Sequence, residues 1–259
     1  MNLSINLNKI ALLRNARGED SPSLQYFANQ ALKHDIAGLT LHPRPDLRHI
    51  KPDDVYLLKK IVEDEGKLLN IEGNPLEARR DNFPGYCEII EEAKPYQATL
   101  VPDDSSQITS DHGWQTSQKD VLTSCAARIK PNVAVLSIFV DSDTENLAGL
   151  ISSDINAIEI FTGPYAKAFA TGKQNLIDDE LRRIEQISLQ AKDLGLQVNA
   201  GHDLDLNNLK PLVKLNLIDE VSIGHAIIGD SLINGFNTCL LYTSPSPRDA
   251  TLSRMPSSA

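Results

Sequence analysis

Eight short runs rich in Val, Ile and Leu, separated by longer amphipathic stretches, constrain the fold of this chain more than any other feature. They are 3–8 (LSINLN), 38–42 (GLTLH), 68–73 (LLNIEG), 98–102 (ATLVP), 133–141 (VAVLSIFVD), 157–163 (AIEIFTG), 196–201 (LQVNAG) and 220–225 (EVSIGH). Segments 23–35, 52–66 and 178–195 read as helices between them. Pro52 followed by Asp53 and Asp54 suits a helix start, where a missing amide hydrogen costs nothing and acids face the positive end of the dipole. Gly195 suits a helix stop. Several of the eight runs are apolar throughout, as parallel strands covered on both faces should be. Eight β-then-α units predict an α/β fold, a (β/α)8 barrel in one domain over residues 1–238. A doubly wound open sheet is the rival, weakened by the lack of a GxGxxG after the first strand.

The last 21 residues do not fit that pattern. From Cys239 the text becomes CLLYTSPSPRDATLSRMPSSA, and Pro245, Pro247 and Pro256 exclude a regular helix. Residues 239–259 are expected to be an irregular tail. It is either disordered or, as the abrupt break after AIIGDSLINGF favours, a frame-shift or sequencing scar.

Composition removes several function classes. The 259 residues are 41% apolar, enough for a sizeable core, and carry a formal net charge of -10. That acidic balance argues against a nucleic-acid binder, which needs clustered Lys and Arg over a broad face. No run is long and apolar enough to span a membrane, and the N-terminus does not read as a signal peptide. Cys87, Cys125 and Cys239 are scattered and form no CxxC, so neither a disulfide framework nor a metal site is expected, and a cytoplasmic setting is.

In a barrel, chemistry gathers at the C-terminal ends of the strands. Residues at or just beyond those ends are Asn6, Asn8, Lys9, Arg14 and Arg17; His42, Arg44, Arg48 and His49; Glu72; Thr109; Glu159; His202; and Gly224 with His225. With His112 beyond the fourth strand, five of six histidines (42, 49, 112, 202 and 225) fall there; His34 lies in a predicted helix. A carboxylate in an apolar strand is costly unless paired, so Glu72 and Glu159 are either structural ion-pair partners or functional groups. Arg14 reads equally as structural or functional. His42, Glu72 and His202 come from strands two, three and seven and converge only if the barrel closes. Gly224 opens a helix whose free amide groups suit a phosphate, and Arg17, Arg44 and His49 suggest a second anionic site. A Schiff-base aldolase would need a strand lysine, and a barrel metallohydrolase a His-x-His on strand one. Neither is present.

The segments NLNKIALLRNARG, GLTLHPRPDLRHI, NIEG, VNAGHDL and IGHAIIGD, in this order from Leu3 to Phe236, resemble the pyridoxine 5'-phosphate synthase family of vitamin B6 biosynthesis. The resemblance implies a barrel assembled as a homo-octamer, with no metal or cofactor. Its implied partners are 3-amino-2-oxopropyl phosphate, 1-deoxy-D-xylulose 5-phosphate and the product pyridoxine 5'-phosphate. It implies that His42 and Glu72 are general bases, His202 a general acid and Glu159 a transition-state stabiliser. Asn6, Arg17, Gly224 and His225 match contacts to the aminoketone phosphate, and Arg44, His49 and Thr109 contacts to the sugar phosphate. Asn8 and Lys9 stand where many members have Asp-His, so a contact at Asn8 lacks the charge. Asp203 replaces a common Gly, so only its backbone amide suits a phosphate. The loop from Asp103 to Gln115 is expected to act as a lid.

Overall fold

A computed structural model of the chain describes residues 1–104 and 106–243. Eight strands run parallel in chain order and close on themselves: β1 (Asn2–Asn6), β2 (Gly38–Leu41), β3 (Leu68–Gly73), β4 (Gln97–Leu100), β5 (Val135–Asp141), β6 (Ala157–Phe161), β7 (Gln197–Gly201) and β8 (Glu220–Ile223). The closing pair sets Leu3 against Val221 and Ile5 against Ile223. The barrel predicted from the eight runs is therefore the fold, and the open-sheet alternative is excluded.

The outer ring is less regular than eight equal units. β1 is followed by two helices, α1 (Asn8–Asn15) and α2 (Leu24–Leu32). Then come α3 (Pro52–Asp64) after β2, α4 (Tyr86–Ala93) after β3 and α5 (Lys119–Ile129) after β4. No helix is described between β5 and β6, where Leu147, Leu150 and Ile155 of the connection are buried instead. α6 (Gly163–Ala170) and α7 (Gln174–Asp193) follow β6, α8 (Leu209–Leu215) follows β7, and α9 (His225–Asn234) and α10 (Phe236–Thr243) follow β8. His34 lies just past α2 rather than inside a helix.

Two expectations change. The strands alternate rather than being apolar throughout. Leu3, Ile5, Leu39, Leu41, Leu69, Ile71, Val198 and Val221 belong to the main apolar core, shared with the helices. Their neighbours in sequence (Ser4, Thr40, Asn70, Thr99, Ser137, Asn199) are buried and polar. Four of them pair inside the barrel: Ser4 with Thr40 at 2.8 Å, and the Thr99 hydroxyl donating to Asn70 Oδ1 at 3.1 Å. A barrel interior is more often packed with branched apolar residues. Here that role is confined to a small cluster of Val101, Phe139 and Phe161 near the C-terminal end. The second change concerns the tail. Its expected start at 239 falls inside α10, where Cys239 and Leu240 are buried and Phe236 packs edge-on to Phe27 of α2 (centroids 4.8 Å apart). Residues 244–259, the rest of the expected tail, lie outside the described residues.

Arg14 resolves to a structural role. Its guanidinium grips Asp54 of α3 through two bonds of 2.6 and 2.8 Å, and both residues are 7% exposed. Asp54 also accepts the Lys51 amide, capping α3. Next to Arg14, the Asn15 side-chain amide reaches the carbonyls of Leu47, Arg48 and His49. The end of α1 thus fixes the loop after β2. Breaking a buried pair strands the remaining charge. Asp54→Ala is expected to lower unfolding free energy by about 3–5 kcal/mol in urea titration. A loss below about 1 kcal/mol would mean the pair does not hold this junction.

Candidate active site

Adjacent strands bring the first pair together. Leu41 of β2 and Ile71 of β3 are register partners, and the next residue on each, His42 and Glu72, turns inward at the C-terminal rim. Asn8 Oδ1 accepts the His42 backbone amide at 2.9 Å, and the Asn8 amide donates to Asn6 Oδ1 at 3.0 Å. Asn8 therefore stitches β1 to the end of β2. His42 Nδ1 lies 3.6 Å from Glu72 Oε2, and Nε2 lies 3.5 Å from Asp103 Oδ2. Both gaps exceed a direct hydrogen bond. The imidazole thus has a carboxyl group beside each nitrogen.

Burial sets the charge state of this cluster. Desolvation holds His42 well below the usual imidazole range, and the positive charges of Arg44 and Arg48 push the same way. Desolvation drives Glu72 well above the carboxylate range, reinforced by Glu159 and Asp103 and opposed by Arg44. Glu159 of β6 is raised to about 8 by burial and then by Glu220, which burial itself raises to about 7. All four resist ionising because water is excluded from them. Glu159 has room only because residue 201 on β7 is glycine, since a Cβ there would collide with the Glu159 carboxyl.

The opposite side of the mouth is built from β7 and β8. His202 follows β7, with Nε2 2.7 Å from the Thr109 hydroxyl, Nδ1 2.9 Å from Asp203 Oδ2 and the ring edge-on to Phe161. Gly224 caps α9, and a Cβ there would sit 2.9 Å from the Asn6 Cβ. The opening amides of α9, beginning at the exposed His225, have no partner within the helix, which suits an anion.

The loop after β2 carries the third group. Arg44 is buried and forms a very short ion pair with Asp103, while also reaching the Ser110 hydroxyl and the Asp104 and Gln107 carbonyls. Arg48 donates to the Gln107 and Ile108 carbonyls, so both arginines tie down the loop after β4. Trp114 anchors the other end of that loop, its indole donating to the Leu100 carbonyl at 2.9 Å. His49, edge-on to His42, is held at about 2, first by burial and then by the neighbouring His42, Arg44 and Arg48. Its buried Nδ1 has no hydrogen-bond partner among the described residues.

His42, Glu72, Glu159, His202, Arg44, His49, Thr109, Asn6, Asn8, Asp203 and Gly224 therefore share one rim. Lys9 is half-buried in the first turn of α1, and Arg17 is exposed in the turn beyond it. Two participants escaped sequence reading. Asp103 pairs with Arg44 and flanks His42, and Glu220 lies under Glu159. Asp103 stands one residue past a predicted strand, within the same rim from which His42, at the end of its run, was picked out. Glu220 offered only its acid at a strand start. A cavity of about 410 Å3 lies at the other end of the barrel, lined by Asn2, Ser4, Asn70, Gln97 and Glu220 among others, so Glu220 stands between it and Glu159. Among the described residues, no three or more His, Cys, Asp or Glu gather in a way that could hold a metal ion.

A closed parallel barrel whose C-terminal mouth collects titratable groups and cations defines an enzyme of the (β/α)8 class. Solved barrels of low identity share the fold. A tryptophan synthase α-subunit mutant from Pyrococcus furiosus matches at TM-score 0.61 and 14% identity, covering 98% of each chain. A thiamine phosphate pyrophosphorylase from the same organism matches at 0.56 and 12%, covering 93% of this chain and 91% of that one. Sequence relatives go further. A pyridoxine 5'-phosphate synthase from Cytophaga hutchinsonii is 43% identical over 243 residues, 93% of this chain and 96% of that protein. One from Xanthomonas oryzae pv. oryzae is 40% identical over 235 residues, 90% and 91% of the two. The profile of the pyridoxal phosphate biosynthesis protein PdxJ matches residues 3–243. The chain belongs to this PdxJ family of vitamin B6 biosynthesis. The match ends at residue 243, four residues past Cys239, where the irregular tail was expected to begin.

The raised Glu159 has a consequence for stability. Between the ordinary carboxyl value of 4.5 and about 8, the folded chain keeps a proton that the unfolded chain has lost. The folded state binds more protons there, so the contribution of this group is greatest at low pH and falls as pH rises through that window. Glu159→Gln removes the penalty. Its thermal midpoint should gain on the native chain by several degrees between about pH 5 and pH 8, since about 1 kcal/mol moves the midpoint roughly 2–4 °C at this size. A constant difference across that range would show that Glu159 ionises normally.

Proposed function

We propose that this chain condenses 3-amino-2-oxopropyl phosphate with 1-deoxy-D-xylulose 5-phosphate, giving pyridoxine 5'-phosphate, phosphate and water. The observation that carries this reading is His42 buried 3.6 Å from Glu72, with Arg44 and His49 buried beside them at the mouth, where burial disfavours the charged form of the imidazole and the carboxyl alike. Imine formation, dehydration, phosphate loss and ring closure are serial proton transfers, which need groups able to take and return a proton near neutrality. His42, held neutral, accepts a proton. Glu72, held protonated, surrenders its proton when a cationic intermediate arrives and then acts as a base. His202 is the general acid across the mouth. Glu159, lowest in the cluster, stabilises charge developing above it.

The phosphates divide between the two sides. Gly224, His225 and the start of α9, with Asn6, Arg17, Lys9 and the Asp203 backbone amide, receive the aminoketone phosphate. Arg44, His49 and Thr109 receive the sugar phosphate. The orphaned Nδ1 of His49 is suited to this contact, because a phosphate oxygen supplies the partner and favours the charged imidazole. Asn8 acts through the His42 backbone. The loop from Asp103 to Gln115 serves as the lid. Its ties to Arg44 and Arg48 must rearrange when the sugar phosphate claims Arg44.

The proposed assembly is a homo-octamer in the cytoplasm, acting without metal, membrane or nucleic acid. Leu232 and Ile233 of α9, 81% and 83% exposed, support self-association. The free thiols of Cys87 and Cys125 suit a reducing compartment.

The test is product formation from the two phosphates. The native chain should turn over, and His42→Ala and Glu72→Gln should each lower kcat by about 100-fold or more while remaining folded. Tight binding without turnover by the native chain would instead favour a phosphometabolite-binding barrel.

A further inference from the structure

Asp203 occupies a backbone position that does not favour a side chain. Its φ is 58°, and His202 before it has φ 87°, both in the left-handed region. Other groups hold this backbone. The Thr162 hydroxyl lies 2.7 Å from the Gly201 carbonyl and 2.6 Å from that of His202, and the Asn208 side-chain amide donates to the Asp203 carbonyl at 2.9 Å. The turn is thus secured without the Asp203 side chain, and glycine would meet its φ with less strain. The carboxylate is explained by what it touches.

It touches His202 Nδ1, at 2.9 Å. Nε2 of the same ring faces the Thr109 hydroxyl at 2.7 Å, and Phe161 meets the ring edge-on with centroids 5.0 Å apart. The imidazole is held on three sides. An ionised carboxylate only accepts hydrogen bonds, whereas a hydroxyl can donate or accept. Nδ1 must therefore carry its hydrogen, and Nε2 is the nitrogen free to change.

We propose that Asp203 is a positioning residue for the reaction: its carboxylate accepts the Nδ1 hydrogen of His202, fixes ring orientation and tautomer, and presents Nε2 to the mouth as the proton-exchanging nitrogen. This rests on the reading of His202 as the proton donor. A carboxylate behind an imidazole fixes both tautomer and orientation wherever the far nitrogen does the work. The arrangement also answers the difficulty of an acid near a phosphate site. The Asp203 carboxyl is held below its usual range by the bond from His202, with the charges of His202, His225 and Lys167 adding to it. Its negative charge is matched within the turn.

Nitrogen NMR of histidine-labelled protein tests the proposal, with His202→Gln assigning the signals. Spectra are recorded on the alkaline side of the ring's titration. The native chain should show the hydrogen on Nδ1. Asp203→Asn should keep it there, because the amide oxygen still accepts. Asp203→Gly should move it to Nε2, the commoner form of a free imidazole. The glycine variant should also lose about tenfold in kcat with both KM values unchanged, and its thermal midpoint should not fall. The same tautomer in the native and glycine chains overturns the proposal, and so does a changed tautomer with unchanged kcat. A native chain that makes no product defeats the synthase reading while leaving the tautomer comparison to judge Asp203.

Discussion

Closure of β8 onto β1 is the constraint on which the rest of the molecule depends. His42 and Glu72 are neighbours on adjacent strands and would meet in any parallel sheet with this register. Glu159 and His202 are different, since β6 and β7 lie across the ring from β2 and β3. They face the first pair only because the ladder returns to its start, with Ser4 opposite Ser222. Closure also leaves no sheet edge, so the strand ends can carry irregular, ligand-facing residues. The Arg14–Asp54 pair and Asn15 carry the same logic outward, fastening the loop that presents Arg44 and His49 to the first helices.

Closure also dries the mouth, and desolvation then decides the chemistry. Carboxyls at positions 72, 103, 159 and 220 all have raised proton affinity, with burial the largest cause in each. The imidazoles at 42 and 49 are lowered for the same reason. Burial thus disfavours charge on these groups, while Asp103 keeps an ion pair with Arg44. The polar barrel interior fits this picture, because Asn70, Gln97, Thr99 and Asn199 provide dipoles beneath the acids where apolar side chains would leave them unsolvated.

Much of this was legible in the sequence, and the failures have physical causes. β3 matches its run residue for residue. Others end early because His42, Pro102, Thr162 and His225 leave the ladder to build the mouth. α1 went unseen because NKIALLRN lacks a capping side chain and a clear amphipathic stripe. The helix missing between β5 and β6 could not be foreseen from a count of repeating units. Alternation in the strands was present in Ser4, Thr40, Asn70 and Ser137, but small polar residues among branched ones read as apolar runs. Within the site, rim position found His42, Arg44, Glu72 and His202. It could not find the contacts: Asp103 meets Arg44, 59 residues away, and the His202 ring beside Asp203 also meets Thr109 and Phe161.

The central claim is that burial in the mouth holds Glu72 as a neutral acid beside a neutral His42. Carbon NMR of the glutamate side-chain carboxyls, with Glu72→Gln assigning the resonance, measures this directly. At neutral pH the Glu72 carbon should have the shift of a protonated carboxyl and should ionise only on the alkaline side. A Glu72 that is fully ionised at neutral pH, with the mouth empty and the protein folded, would contradict the account.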